Sequence, residues 1–282
     1  MERRLALIGF GEAAGAFASG LSAALRGFDR KTDEAASRSD KLDDFAAAGV
    51  TACETAADAL EHASAALSLV TADQALPAGE AATALPPGAF WFDMNSVAPD
   101  TKRAAAGAVG ARGGRYVDVA VMSPVHPKRT AVPLLVSGPD ASDGARYLAV
   151  LGFASVRIVD GPVGAASAIK MIRSVMVKGI EALSAECALA AEAAGVRDDV
   201  IASLDASWPG GDWAARFDYN LDRMMMHGLR RAAEMDEVVA TLDALGTGSV
   251  MSRGTAQRQR AIGARHIVPP DGLEAKLGAL TA

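Results

Sequence analysis

Cysteine is almost missing from this chain: Cys53 and Cys187 stand far apart, with no CxxC and no Cys/His spacing. Two such residues make no disulfide framework and no zinc-type ligand set, so no metal is expected and a reducing cytoplasm is the expected setting. Aromatic residues are scarce too, at 5%, while half of the residues are apolar and alanine is abundant. That balance favours close-packed helices over a β-sandwich. A surplus of cations is also lacking: 28 Lys and Arg face 34 Asp and Glu, for a net charge of −6. No basic stripe is available to neutralise phosphates, so no nucleic-acid partner is expected. No uncharged apolar run reaches the roughly 18 residues of a membrane span. Arg3 and Arg4, followed by an Ala-rich stretch ending near AFASGLSAAL, imitate a secretory signal. Glu12 interrupts that stretch, and the arginines lack the context of a twin-arginine signal.

What the chain does have is alternation. Up to about Asp160, Ala-rich helical stretches separate short β-like runs: LALIGF (5–10), GFDR (27–30), VTAC (50–53), ALSLV (66–70), FWFDM (90–94), YVDVAV (116–121), PLLVSG (133–138) and SVRIV (155–159). The pattern predicts one parallel sheet of eight strands wound with helices. GFDR is as turn-like as strand-like, and is kept because the spacing of a Rossmann sheet requires a second strand there. After Gly164 strand signals stop. AASAIKMIRSVMVKGIEALSAECALAAEAAG reads as one long helix stopped by Gly195. A helix near Arg197 to Ala206, a turn at SWPGGDW, a long helix from about Phe217 to Leu245 and shorter helices to about Ala264 are expected next. The predicted class is α/β: a Rossmann-type doubly wound sheet over 1–160, then an all-helical domain over 161–282.

The first run ends in LIGFGEAAG, with Gly9 and Gly11 after a strand and Ala14 at the third small position of a GxGxxA turn. A strand, a glycine turn and a helix start form an anion site, since backbone N–H groups and the positive end of the helix dipole face a pyrophosphate. Phe10, Gly11, Glu12 and Ala13 line that turn, and a small residue at position 14 lets helix and strand pack closely. Asp29 lies twenty residues after Gly9, where an acid would hydrogen-bond the adenosine ribose and favour NAD. Arg30 and Lys31 beside it would accept a 2′-phosphate, which leaves NADP open, and DRKTDE also suits a plain solvated turn.

With the long helix in view, the chain resembles the β-hydroxyacid dehydrogenase superfamily, relatives of 6-phosphogluconate dehydrogenase. It is most similar to an NAD-binding branch whose C-terminal helical domain is of unassigned function and carries text like HGLRRAAEM. GFGEAAG (9–15) is the cofactor turn. DMNSVAPDTKR (93–103) is similar to the family's strand-end segment near the nicotinamide, which implies cofactor contacts for Asn95 and Ser96, with Thr71 past the preceding strand. DVAVMSPVHP (118–127) looks like the family's Asp-x-Pro-Val-Ser-Gly-Gly loop, with Met122 inserted before Ser123 and Pro124 in place of the first glycine. Ser123 is therefore either a ligand of the substrate carboxylate or part of a rigid strand end. GPVGAASAIKMIRS (161–174) resembles a helix entry followed by Lys-x-x-Asn-Asn, with Lys170 in the catalytic lysine's place and Arg173 and Ser174 replacing the asparagines.

The resemblance implies hydride transfer between NAD(P) and a small β-hydroxyacid or its semialdehyde or ketoacid, with Lys170 as general acid and base. It also implies a homodimer or dimer-based assembly. An imine reductase, whose relatives usually lack the lysine, and a dinucleotide-binding module without turnover are the alternatives. A lysine in the first turns of an Ala-, Ile- and Met-rich helix either snorkels to solvent or sits in a poorly solvated cleft, and the second placement suits a proton carrier. Positions 170, 174 and 178 share a helix face, so Lys170, Ser174 and Lys178 are expected to point together into an interdomain cleft. MMMHGLRRAAEMDE (224–237) sets His227, Arg230 and Arg231 within one helical turn. They form either an anion clamp for a substrate carboxylate or phosphate, or a solvated face on which the arginines pair with Glu234 and Glu237.

Overall fold

A computed structural model describes residues 3–281, and the chain divides into two compact units between Met171 and Ile172. The first contains β1 (Arg4–Ile8), α1 (Glu12–Ala18), β2 (Ala24–Phe28), α2 (Arg38–Ala47), β3 (Thr51–Ala52), α3 (Ala56–Leu60), β4 (Ala65–Ser68), α4 (Ala75–Glu80), β5 (Phe90–Asp93), α5 (Pro99–Gly110), β6 (Arg115–Val121), β7 (Leu134–Ser137), α6 (Ala141–Leu151) and β8 (Val156–Ile158). These strands form one sheet in the order β3-β2-β1-β4-β5-β6-β7-β8. β4, β5 and β7 are buried along their whole length, as strands covered on both faces must be. Alternate side chains feed two separate cores: Leu5, Leu7, Phe92 and Val117 join Phe17 and Phe45 on one face, and Ala6, Ile8, Trp91 and Tyr116 join Leu60 and Val109 on the other.

Each of the eight β-like runs carries a strand, with two corrections. β2 begins before GFDR, pairing Arg4 with Ala24 through Ile8 with Phe28, and Asp29 and Arg30 lie beyond it. Asp29 instead caps a single 3-10 turn over Arg30–Thr32, a use that suits an acidic side chain better than a buried strand does. The sheet is also not wholly parallel, since β6 and β7 run antiparallel. A parallel crossover needs a connecting helix, whereas the segment 122–133 holds only a 3-10 turn at Arg129–Ala131.

Helix α7 (Ala165–Ala193) opens in the first unit and continues into the second, and Gly195, at φ +71°, follows its end. The second unit adds α8 (Arg197–Ser207), α9 (Trp213–Ala244), α10 (Val250–Gly263) and α11 (Leu273–Thr281). The last of these lies beyond the helices read from sequence; Leu277 and Leu280 bury against the cluster of Phe217, Leu221 and Met224. α9 and α10 approach at backbone distance: a Cβ on Gly228 would lie 2.5 Å from the Gln259 carbonyl. Among the described residues no helix is long and apolar enough to cross a membrane.

Candidate active site

The strand order reverses between β1 and its neighbours β2 and β4, and ligands of open α/β sheets bind outside the strand ends at such a switch point. Gly9 follows β1 there with φ +86°, and a Cβ on it would lie 2.7 Å from the Leu69 carbonyl oxygen. Only glycine fits that position. Gly11, at the start of α1, has no atom within 4 Å of where a Cβ would stand, which leaves its backbone open to a ligand. Ala14 is fully buried, so the third small residue packs α1 on the sheet as predicted. The turn is braced from both sides: Phe10 N–H donates to Asp29 Oδ2 at 2.7 Å, and Lys41 Nζ donates to the Phe10 carbonyl at 2.9 Å. Asp29 Oδ1 accepts the Lys31 N–H at 2.9 Å. Glu12 opens α1, Ala13 is half-buried, and Arg30, Lys31 and Thr71 are exposed.

Next to the turn, a polar row crosses an otherwise apolar sheet. Ser68, Asp93, Asp118 and Ser137 are paired in register on four successive strands, β4 to β7, and all four are fully buried. Asp93 Oδ1 accepts from the Asn95 N–H at 3.0 Å, from Asn95 Nδ2 at 2.7 Å and from Lys102 Nζ at 2.9 Å. Tyr116 donates its hydroxyl to Asp93 Oδ2 at 2.7 Å. Burial, and then the Asp93 charge, hold that phenol far above its usual titration range, so it stays a donor. Asn95 Nδ2 also donates to Ser68 Oγ at 2.9 Å, which fixes the amide and leaves its Oδ1 buried without a hydrogen-bond partner among the described residues.

Lys170 meets Ser96, three residues past Asp93 of this row. From α7 its Nζ donates to Ser96 Oγ at 2.5 Å, so residues 74 apart in sequence come together beside Asn95. Lys170 and Ser96 are both half-buried. Ser123, just past β6, is half-buried, and its Oγ lies 3.3 Å from the Pro124 carbonyl.

The helical unit departs from the expected anion clamp. Arg231 turns inward, where its guanidinium makes a two-pronged contact with Glu181 of α7, and Gln259 Nε2 adds a bond to Glu181 Oε2 at 2.8 Å. A buried guanidinium committed to a carboxylate is not available to a substrate anion, and its partner is neither Glu234 nor Glu237. Lys178 is likewise buried, with Nζ 2.6 Å from Glu234 Oε2. Burial lowers its pKa against the opposing pull of Glu234. Ser174 is buried on the same helix, His227 is half-buried and Arg230 is exposed.

Comparison with known proteins gives the family. Residues 5–152, just over half of the chain, match the NAD binding domain of 6-phosphogluconate dehydrogenase. The chain belongs to this family. Its residues 191–262 match a domain of unknown function, DUF1932. Among solved structures, a conserved hypothetical protein from Sinorhizobium meliloti 1021 is 36% identical, with a TM-score of 0.75 over 99% of this chain and 96% of that one. The fold is shared with 3-hydroxyisobutyrate dehydrogenase from Mycobacterium tuberculosis, solved with L-serine, at 18% identity and a TM-score of 0.75 over the whole of both chains. It is also shared with an imine reductase from Streptomyces aurantiacus, at 21% identity and a TM-score of 0.59 over 98% and 99%. No curated protein matches the sequence.

The first unit is thus a Rossmann-type NAD(P)-binding domain of a dehydrogenase-type oxidoreductase. Its residues fit the dinucleotide: glycine where a side chain would strike Leu69, open backbone at Gly11, and an unmet acceptor at Asn95. Lys102, not among the residues expected at the site, is wholly buried among Asp93 and Asp118. A signal for it was present, since FWFDM and YVDVAV each put a carboxylate inside an apolar strand, and a carboxylate so placed needs a donor or a cation.

Proposed function

We propose that the protein transfers hydride between NAD(P) and a small β-hydroxyacid or the corresponding semialdehyde or ketoacid, with Lys170 carrying the proton. The observation that carries this reading is the 2.5 Å contact of Lys170 Nζ with Ser96 Oγ, next to the unmet Asn95 acceptor. Backbone groups from Gly9 to Ala14 would hold the pyrophosphate, Asp29 the adenosine ribose, and Thr71, Asn95 and Ser96 the nicotinamide half. When bound, NAD(P) supplies the hydride chemistry. In oxidation, neutral Lys170 Nζ takes the substrate's hydroxyl proton; in reduction its ammonium returns a proton to the carbonyl oxygen. Ser96 Oγ orients Nζ during both steps.

Asp29 favours NAD, because a second anion beside its carboxylate is repelled, while the exposed Arg30 and Lys31 keep NADP within reach. Ser123 is the proposed ligand of the substrate carboxylate, and Ser174, His227 and Arg230 complete the proposed substrate set without Arg231. Residues 1–160 serve the cofactor, and 161–282 serve substrate and self-association. Exposed apolar side chains on α7, among them Ile172, Met176 and Leu183, support a homodimer or dimer-based assembly. The free thiols of Cys53 and Cys187 support a cytoplasmic setting.

Oxidation of NADH and NADPH with a panel of short aldehyde acids, wild type beside Lys170→Ala, tests the reading. Loss of about 10²–10⁴-fold in turnover with NADH binding retained is the expected result. Wild-type turnover in the variant overturns the lysine's role. An inactive wild type that binds NADH tightly replaces the enzyme with a binding module.

A further inference from the structure

Lys102 projects from α5 into a place with no solvent at all. Its Nζ donates to the Asp93 carbonyl at 2.6 Å and to Asp93 Oδ1 at 2.9 Å, and lies 3.5 Å from Asp118 Oδ1. Two carboxyl groups share this one lysine, and buried carboxyl oxygens need further donors. Those donors come from the first turn of α7. Gly164 N–H and Ser167 N–H each donate to Asp118 Oδ2 at 3.1 Å, and Ser167 Oγ donates to Asp118 Oδ1 at 2.6 Å. Ala166 N–H donates to Ser137 Oγ at 3.0 Å, at the far end of the same polar row. The positive end of a 29-residue helix therefore rests on Asp118. Backbone contact closes the arrangement: Gly164 has φ +99°, and a Cβ on it would lie 2.9 Å from Pro99 Cβ and from an Arg103 guanidinium nitrogen.

One cluster thus touches both halves of the Lys170–Ser96 contact. Asp93 holds Asn95 and, next to it, Ser96; Asp118 holds the helical turn that precedes Lys170; Lys102 joins the two carboxylates. An apolar trio of similar volume would hold strand and helix at least as tightly. Directional donors and acceptors add a preference for one angular setting.

We propose that Lys102, Asp93 and Asp118 are positioning residues that lock the Asn95–Ser96 segment to the start of α7 and so set where Lys170 meets Ser96. The proposal rests on the reading of Lys170 as proton carrier.

Asp118→Asn is the most direct test. It keeps the volume and leaves Asp93 and Lys102 as a balanced pair, yet either setting of the new amide turns an N–H₂ group toward existing donors. The primary readout is the ε-methylene resonance of Lys170 in ¹³C-lysine-labelled protein, assigned by its loss in Lys170→Met. Ser96→Ala gives its position when the contact is gone. Expected is a folded Asp118→Asn protein whose Lys170 resonance moves as far as in Ser96→Ala, with NADH affinity and KM near wild type and kcat lowered about ten- to a hundredfold. A folded variant with the wild-type resonance overturns the proposal.

Amide exchange of the unaltered protein gives a second measure should the variant fail to fold. Residues 95–103 and 164–171 are expected to open as one unit with a common denaturant dependence, and separate openings overturn the lock. Both readouts are independent of turnover. Wild-type activity in Lys170→Ala would remove the proton role while the resonance and the exchange still decide whether the segments are locked.

Discussion

A methyl group at Gly11 and one at Gly9 should separate cofactor binding from stability in the same turn. Gly9 sits at φ +86° with the Leu69 carbonyl oxygen 2.7 Å from the place a Cβ would take. The left-handed backbone costs an L-residue about 1–2 kcal/mol, and the forced repacking adds about 1–3 kcal/mol. Gly9→Ala should therefore destabilise the first unit by about 2–5 kcal/mol, which is about 4–20 °C in Tm for a domain of this size.

Gly11 is extended, at φ −101°, and meets nothing within 4 Å. Alanine there stabilises by restricting the unfolded chain, by about 0.4–1 kcal/mol, and loses a similar amount as a poorer helix cap. The net change in Tm should be small. The methyl nevertheless occupies the space a pyrophosphate needs for backbone contact, and a penalty of about 1–3 kcal/mol weakens binding about 5- to 150-fold. Thermal unfolding beside a fluorescence titration with NADH measures both quantities. Gly11→Ala binding NADH as tightly as wild type would refute the assignment of this turn, and Gly9→Ala melting with wild type would refute the steric reasoning.

Two further substitutions probe the edges of the reading. Asp29→Asn should shift the preference toward NADPH by about tenfold, since it removes the charge that opposes a 2′-phosphate beside Arg30 and Lys31; equal Kd ratios for NADH and NADPH before and after would count against it. Arg231→Met should destabilise the helical unit by about 3–5 kcal/mol by leaving Glu181 buried with Gln259 as its remaining side-chain donor among the described residues, and adding Glu181→Met should restore most of the loss. A stable Arg231→Met protein with weakened substrate binding would instead return Arg231 to the substrate site.

Local pattern was enough to locate the strands other than β2, the glycine turn, the long helix and its stop at Gly195, because side-chain period and left-handed glycines are properties of a few neighbouring residues. GxGxxA also led to the cofactor, since the close packing of Ala14 and the open backbone of Gly11 follow from residue size alone. The direction of β7, the inward turn of Arg231 and the burial of Lys102 were beyond that reach. Each depends on partners far away in the chain: Asp118 opposite Ser137, Glu181 opposite Arg231, and Asp93 and Asp118 around Lys102. On an Ala-rich helix a lysine or arginine has the same local preference whether it faces water or a buried carboxylate. Only the packed sheet and bundle, by removing water from one side of that helix, decide which charge it must meet.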